Sequence, residues 1–299
     1  RAQDLIDQGK LHLDAVQITA LDEADQMADM GFLPQVRKLL RLTPAKGQRL
    51  LFSATLDGDV NKLVEQFLHE PVIHTTAPVQ AAVDSMSHHL FFVGDRPARN
   101  EVVLRIAARQ GKTIMFMRTK HGVDRQVKKL RRSGINAYPL HGDKGQGART
   151  RAIEGFADGS IPVLVATDIA ARGIDIADVS LVVHVDPSAE HKAYLHRAGR
   201  TARGGAAGTV ITLVMDEQRK EVAALIKKAG VTATEHDISH RENPAGAPIL
   251  KEITGARKPN GPALPPPGQD SPQKPAKSVK KSNSQRRRSG SKVARRRRR

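Results

Sequence analysis

At 299 residues the chain has room for one or two compact domains, and its 39% hydrophobic content is low enough that part of it is expected to stay unpacked. No run reaches the roughly 18 to 20 apolar residues of a membrane span, no signal peptide opens the sequence, and the absence of cysteine excludes disulfides and thiolate metal sites. A cytoplasmic protein without membrane contact is expected. The net charge of +18 is concentrated at one end, because residues 257–299 hold 15 Lys or Arg against the single acid Asp270.

Residues 1–256 alternate short β-branched runs with amphipathic helical patterns, the mark of parallel sheets covered by helices. In the first block a helix is expected at 2–8, strands at 15–21 and 49–53, helices at 33–42 and 60–68, and a last short strand at 71–73. That is too few elements to close an α/β sheet, so this domain, residues 1–76, is expected to be incomplete. Residues 77–87 lack a period, include Pro78, and read as a linker.

The second block, 88–230, is expected to be complete and to fold alone. Its strands are expected at 89–93, 113–117, 136–140, 162–166, 181–185 and 208–214, and its helices at 99–109, 123–132, 150–156, 189–196 and 217–228. A connecting segment, 231–256, leads to a tail at 257–299. That tail, with Pro265 to Pro267, Lys-Ser repeats and Arg295 to Arg299, has almost nothing large and apolar to bury and is expected to be disordered. Its charge suits sequence-blind, salt-sensitive binding of nucleic acid.

Asp22 and Glu23 follow a hydrophobic strand and would project from its carboxyl end. There an aspartate can hold hydrated Mg2+ through water, and a glutamate can orient an attacking water. Arg200 and Arg203 stand three apart, so on one helical face both could reach a single γ-phosphate as arginine fingers. Gly111-Lys112-Thr113 imitates the end of a phosphate loop, but Ile106 occupies the first glycine position, and the triplet enters a strand instead of a helix. The twelve histidines form no metal pattern: His88 and His89 would point to opposite faces of a strand, and His236 and His240 fit one helical face without a third ligand.

The segment Leu21-Asp22-Glu23-Ala24-Asp25-Gln26-Met27-Ala28-Asp29-Met30-Gly31-Phe32 resembles the Walker B region of DEAD-box ATP-dependent RNA helicases, and Ser53-Ala54-Thr55 resembles that family's next motif. Residues 113–120, His141-Gly142-Asp143 with Gln146 and Arg149, residues 166–175, and residues 196–203 are similar to its later motifs in order. The resemblance covers residues 1 to about 230 and implies two RecA-like domains, with ATP and Mg2+ as cofactors and RNA as partner.

It further implies that Asp175 contacts the nucleotide ribose and that Asp25, Ser53, Thr55 and His196 couple the nucleotide and RNA sites. Arg1, Gly142 and Thr167 would hold RNA phosphates, giving weak sequence preference. Ribosomal or RNA-degradation assemblies are the implied larger partners. The family's phosphate loop, Gly-x-x-x-x-Gly-Lys-Ser/Thr, does not occur in these 299 residues, so the chain is expected to be an N-terminally truncated piece, inactive as an ATPase alone. The alternative reading is an ATP-independent RNA-binding or annealing module. A DNA helicase is a third.

Overall fold

The computed structural model describes residues 1–56, 58–75, 86–171, 176, 178–202 and 207–268. The chain divides into two compact units, Arg1–Thr76 and Ala77–Arg299.

The first unit contains α1 (Ala2–Asp7), β1 (Ile18–Leu21), α2 (Ala24–Asp29), α3 (Leu33–Arg41), β2 (Gln48–Leu51) and α4 (Gly58–Phe67). The two strands run parallel, with Ile18 opposite Gln48 and Leu21 opposite Leu51. Leu33, Val36 and Leu40 recur at helical spacing along α3 and close on Leu63 of α4. This core is small. Ile18 and Phe52 stay 60% and 54% exposed on the two strands' side of the unit. The strand expected at 71–73 does not form: residues 71–75 carry no regular structure, and Val72 and Ile73 are exposed. A β-branched run becomes a strand only by pairing, and among the described residues no neighbour supplies the ladder.

The second unit begins with β3 (Met86–Gly94), α5 (Arg96–Ala107), β4 (Lys112–Phe116), α6 (Lys120–Arg132), β5 (Ala137–Leu140), α7 (Gln146–Ala157) and β6 (Val163–Ala166). It continues with α8 (Asp168–Ala171), β7 (Val179–His184), α9 (His191–Ala198), β8 (Gly208–Met215), α10 (Arg219–Ala229), β9 (Thr234–Asp237) and α11 (Pro248–Thr254). Its seven strands form one sheet in the order β5-β6-β4-β7-β8-β3-β9. Every neighbouring pair is parallel. The expected α/β class with a helix-covered parallel sheet is therefore observed.

Strand alternation divides the core between two faces. Leu90, Phe92, Ile114, Phe116, Leu164 and Val182 enter one cluster, while Phe91, Val93, Met115, Val165, Leu181 and Val183 enter the other. Because both faces are buried, the strands read as continuous apolar runs and not as alternating ones. Local chemistry sets the helix starts. Asp95 accepts from the Ala98 amide at 2.8 Å to open α5, and Thr119 accepts from the Gly122 amide at 3.0 Å to open α6. Gly230, at φ +66°, ends α10 in the left-handed conformation.

Several sequence expectations change at the edges. β3 opens at Met86, two residues inside the expected linker. The segment 231–256 is part of the domain, since β9 pairs with β3 and Leu250 of α11 is fully buried. The first twelve residues of the expected disordered tail are held on the domain surface, with the Arg257 amide donating to Arg105 O at 3.0 Å and the Leu264 amide to Arg131 O at 2.8 Å. The rest of that tail, 269–299, lies outside the described residues. His236 sits on strand β9 and not on a helix, 3.0 Å from His89 Nδ1 and stacked on Phe91. His88 points the other way, to the Tyr194 hydroxyl at 2.8 Å.

Candidate nucleotide and RNA site

In the first unit the polar residues gather where β1 and β2 end. The Phe52 amide donates to Leu21 O at 2.7 Å, and the Ala24 amide donates to Phe52 O at 3.1 Å, so both chains leave the sheet side by side. Asp22 is exposed and its Oδ1 accepts from the Glu23 amide at 2.9 Å. Glu23 itself has φ +53°, a left-handed conformation that costs a non-glycine residue energy and recurs at functional sites. The Asp25 amide donates to Ser53 Oγ at 3.1 Å, and Ser53 Oγ donates to Thr55 O at 2.6 Å. The two motifs recognised separately in the sequence are thus one hydrogen-bonded surface. Arg1 is exposed at the start of α1.

In the second unit the site lies at the carboxyl ends of β4, β5, β6 and β7, where open parallel sheets present their ligand groups. Thr167 follows β6 and its amide donates to Leu140 O at 3.1 Å, which ties it to the exposed Gly142 turn that follows β5. His196, Arg197 and Arg200 line a small recess with Phe116, Asp168, Ala171 and Ala193. Arg200 Nε donates to His196 O at 3.2 Å. Helix α9 stops at Ala198, so Arg200 lies in the turn after it. The expected helical face does not extend to Arg200, because α9 ends at its cap Gly199. Arg203 and Asp175 lie outside the described residues.

Arg197 falls within the 196–203 motif, which by itself assigns it no role, and it is the pivot of the second unit's site. Its guanidinium is almost wholly buried and bidentate on Asp168, with Nε to Oδ1 at 2.5 Å and the terminal nitrogen to Oδ2 at 2.9 Å. Its other terminal nitrogen donates to Asp186 O at 2.8 Å, and the group lies 5.2 Å from the Phe116 ring centre. Asp186 also accepts from Arg99 at 2.8 Å and from the Arg118 amide at 3.0 Å. No local pattern marks this clamp, because the partners Asp168 and Asp186 stand 29 and 11 positions from Arg197 in the chain.

On the loop after β5, Asp124 of α6 binds His141 Nε2 at 3.1 Å and Lys144 Nζ at 2.9 Å. Burial pushes the Asp124 carboxyl up, but Lys144 and His141 outweigh it and hold it below the usual carboxylate range. Lys120 pairs with Asp143 at 2.7 Å in the same loop. Among the described residues no group of three or more His, Asp or Glu could hold a metal. The exposed Asp22 suits a hydrated divalent cation held through water, which needs only one or two protein carboxylates.

Residues 1–63 match the family model for the DEAD/DEAH box helicase, and residues 98–205 match that for the helicase conserved C-terminal domain. The ATP-dependent RNA helicase RhlB of Pseudomonas syringae is 38% identical over 234 residues, covering 77% of this chain and 59% of its own length. RhlB of Pseudomonas aeruginosa is 40% identical, with 73% and 55% covered. The chain thus spans somewhat over half the length of these curated relatives. Among solved structures, S. cerevisiae Dbp5 bound to RNA and ADP BeF3 superposes with a TM-score of 0.72 at 29% identity, covering 84% of this chain and 66% of that one. The shared architecture is RecA-like.

Proposed function

Because this chain belongs to the DEAD-box helicase family, we propose that it is the RNA-gripping and hydrolysis-coupling portion of an ATP-dependent RNA helicase, which separates short duplexes while RNA stimulates ATP turnover. The observation that carries the reading is the surface at the ends of β1 and β2. There Asp22 is exposed beside Glu23, which is held at φ +53°, and Ser53 fastens the Asp25 amide. Strain at Glu23 is expected where a carboxylate must be aimed.

In this reading Asp22 holds Mg2+ through water and Glu23 orients the attacking water. Arg200 and Arg203 face the developing phosphate charge, and Asp175 meets the ribose. Asp25, Ser53, Thr55 and His196 pass the state of the nucleotide to the RNA-holding residues Arg1, Gly142 and Thr167. Bound Mg2+ would supply neutralisation of phosphate charge. The 299 residues contain no Gly-x-x-x-x-Gly-Lys-Ser/Thr segment, so they offer part of a nucleotide cradle. Cytoplasmic location and association with ribosomal or RNA-degradation assemblies belong to the same proposal.

The second reading, an RNA-binding or annealing module that needs no ATP, is supported for the chain by itself by the two buried apolar clusters of the second unit, which give the RNA-holding loops a packed base without a nucleotide. One assay separates the two: ATP hydrolysis with and without single-stranded RNA, for this chain and for a version extended upstream through a phosphate loop. RNA-stimulated turnover in the extended form alone supports the helicase reading. RNA binding without turnover in either form supports the binding module.

A further inference from the structure

Residues 257–268 form a strap across the second unit. The chain leaves α11 through Gly255, at φ +71°, and Arg257 is fastened to the end of α5 by its amide on Arg105 O and its Nε on Ala108 O. Gly261 then crosses Gly134 backbone to backbone, so closely that a Cβ on Gly134 would overlap the Gly261 carbonyl group. Beyond the crossing, the Leu264 amide donates to Arg131 O at 2.8 Å, and Arg131 Nε donates to Pro265 O at 2.5 Å. The Gly268 amide donates to the Tyr138 hydroxyl at 3.2 Å, and the Arg131 guanidinium lies 5.2 Å from the Tyr138 ring centre. Tyr138 belongs to β5, the edge strand.

Between this strap, α6 and the start of α7 runs a groove of about 610 Å³. Lys128, Arg132 and Arg151 line it, all exposed and without an ion-pair partner among the described residues. Its one acid, Asp124, is already engaged by Lys144 and His141. Lys144 also lines the groove and belongs to the turn that carries Gly142, so the groove opens at the loop assigned to RNA. The opposite wall, Pro265 to Gly268, has prolines that lack an amide donor and have a fixed φ, which makes it stiff and apolar. The chain continues from Gly268 into 31 residues that hold 13 Lys or Arg.

We infer that the strap, α6 and α7 build a second RNA site, a groove that takes the single-stranded flank of an RNA whose neighbouring phosphates lie on the Gly142 loop. The inference rests on the RNA-binding reading above. Cations on one wall and a stiff apolar wall opposite match what unspecific single-strand sites offer, charge for the backbone and a surface for the bases. The strap serves the site twice, as a wall and as the fixed origin of the basic tail. An acidic peptide would satisfy the cations, but it would leave the position of the groove, at the mouth of the RNA loop, without a use.

The test is fluorescence anisotropy of the full chain with labelled single-stranded RNA of 6 and of 20 nucleotides, against the variant Lys128→Gln/Arg132→Gln/Arg151→Gln. The expected result is binding of the longer RNA weakened by about ten-fold, with a salt slope flatter by about 2, since each single-strand phosphate left unneutralised takes ~0.7 from the slope. The short RNA should lose little, and a photoreactive 20-mer should cross-link to α6 and residues 262–268. Should the triple variant fail to fold, Arg132→Gln and Arg151→Gln singly should each weaken the longer RNA by about two-fold. Unchanged affinity and slope for the 20-mer, while the unmodified chain binds it, would overturn the groove and leave the RNA-binding reading standing. If the unmodified chain bound no RNA of either length, both would fall.

Discussion

Arg197 holds the candidate site of the second unit together through hydrogen bonds to residues 29 and 11 positions away in the chain. A bidentate pair on Asp168, beside the Phe116 ring, fixes the last turn of α9 just before the turn that bears Arg200. Arg197→Ala leaves Asp168 and Asp186 O without their donor. The expected cost is about 2 to 3 kcal/mol, below the full figure for a buried pair because Asp168 keeps a third of its side chain in water. Urea titration of the chain measures it. Arg197→Lys should recover only a minor part, since an ammonium cannot span both carboxylate oxygens.

The histidines on this side of the sheet make a second residue-scale prediction. Burial, with a smaller push from His89, lowers the His88 imidazole from 6.5 to about 4. Full burial drives His184 down as well, aided by Arg197 and His88. The folded chain therefore holds these rings neutral where the unfolded chain would already protonate. Stability present in full above about pH 6.5 is lost as pH falls toward 4, and His88 alone accounts for roughly 3 kcal/mol of that loss at most. The urea midpoint followed from pH 7.5 to 4 should show the slope, and His88→Gln should flatten it. A midpoint independent of pH would contradict the assignment.

At the scale of elements, strands and helices inside the second unit follow from apolar runs, and those at its margins do not. β9 is Thr234-Glu235-His236-Asp237, a polar and mostly exposed string that becomes a strand by pairing with β3. The strap has no periodic signal at all and is placed by single hydrogen bonds and by the Gly134–Gly261 crossing. Gly134→Val puts a β-branched residue at φ +78° with its Cβ against backbone. The expected outcome is release of the strap at a strain of about 1 to 3 kcal/mol, read as at least a ten-fold loss of amide protection at Leu264 and Gly268. Amides of β6 should keep theirs.

For the whole molecule, charge is divided between the nearly balanced residues 1–256 and a strongly basic end. Deleting residues 269–299 removes 13 Lys or Arg and one acid. RNA affinity at low salt is expected to drop, and its salt slope to flatten by ~0.7 for every phosphate that the tail no longer neutralises, while the thermal melt of residues 1–268 stays in place. Titrations at 50 to 300 mM salt decide it, and an unaltered slope would make the tail a solvated appendage.

The class of the fold, most strands of the second unit, the family and the residue types of the site were legible in the sequence because they depend on local chemistry. Apolar runs of strand length bury themselves, and motifs such as Asp22-Glu23-Ala24-Asp25 keep their chemistry within a few consecutive residues. The joining of that segment to Ser53, the Arg197 clamp on Asp168 and Asp186, the end of α9 before Arg200, and the strap on Arg131 were decided by tertiary structure alone. Each rests on a bond between residues far apart in the chain or on a helix end set by packing, and within each unit the register that aligns the partners belongs to that unit's folded sheet.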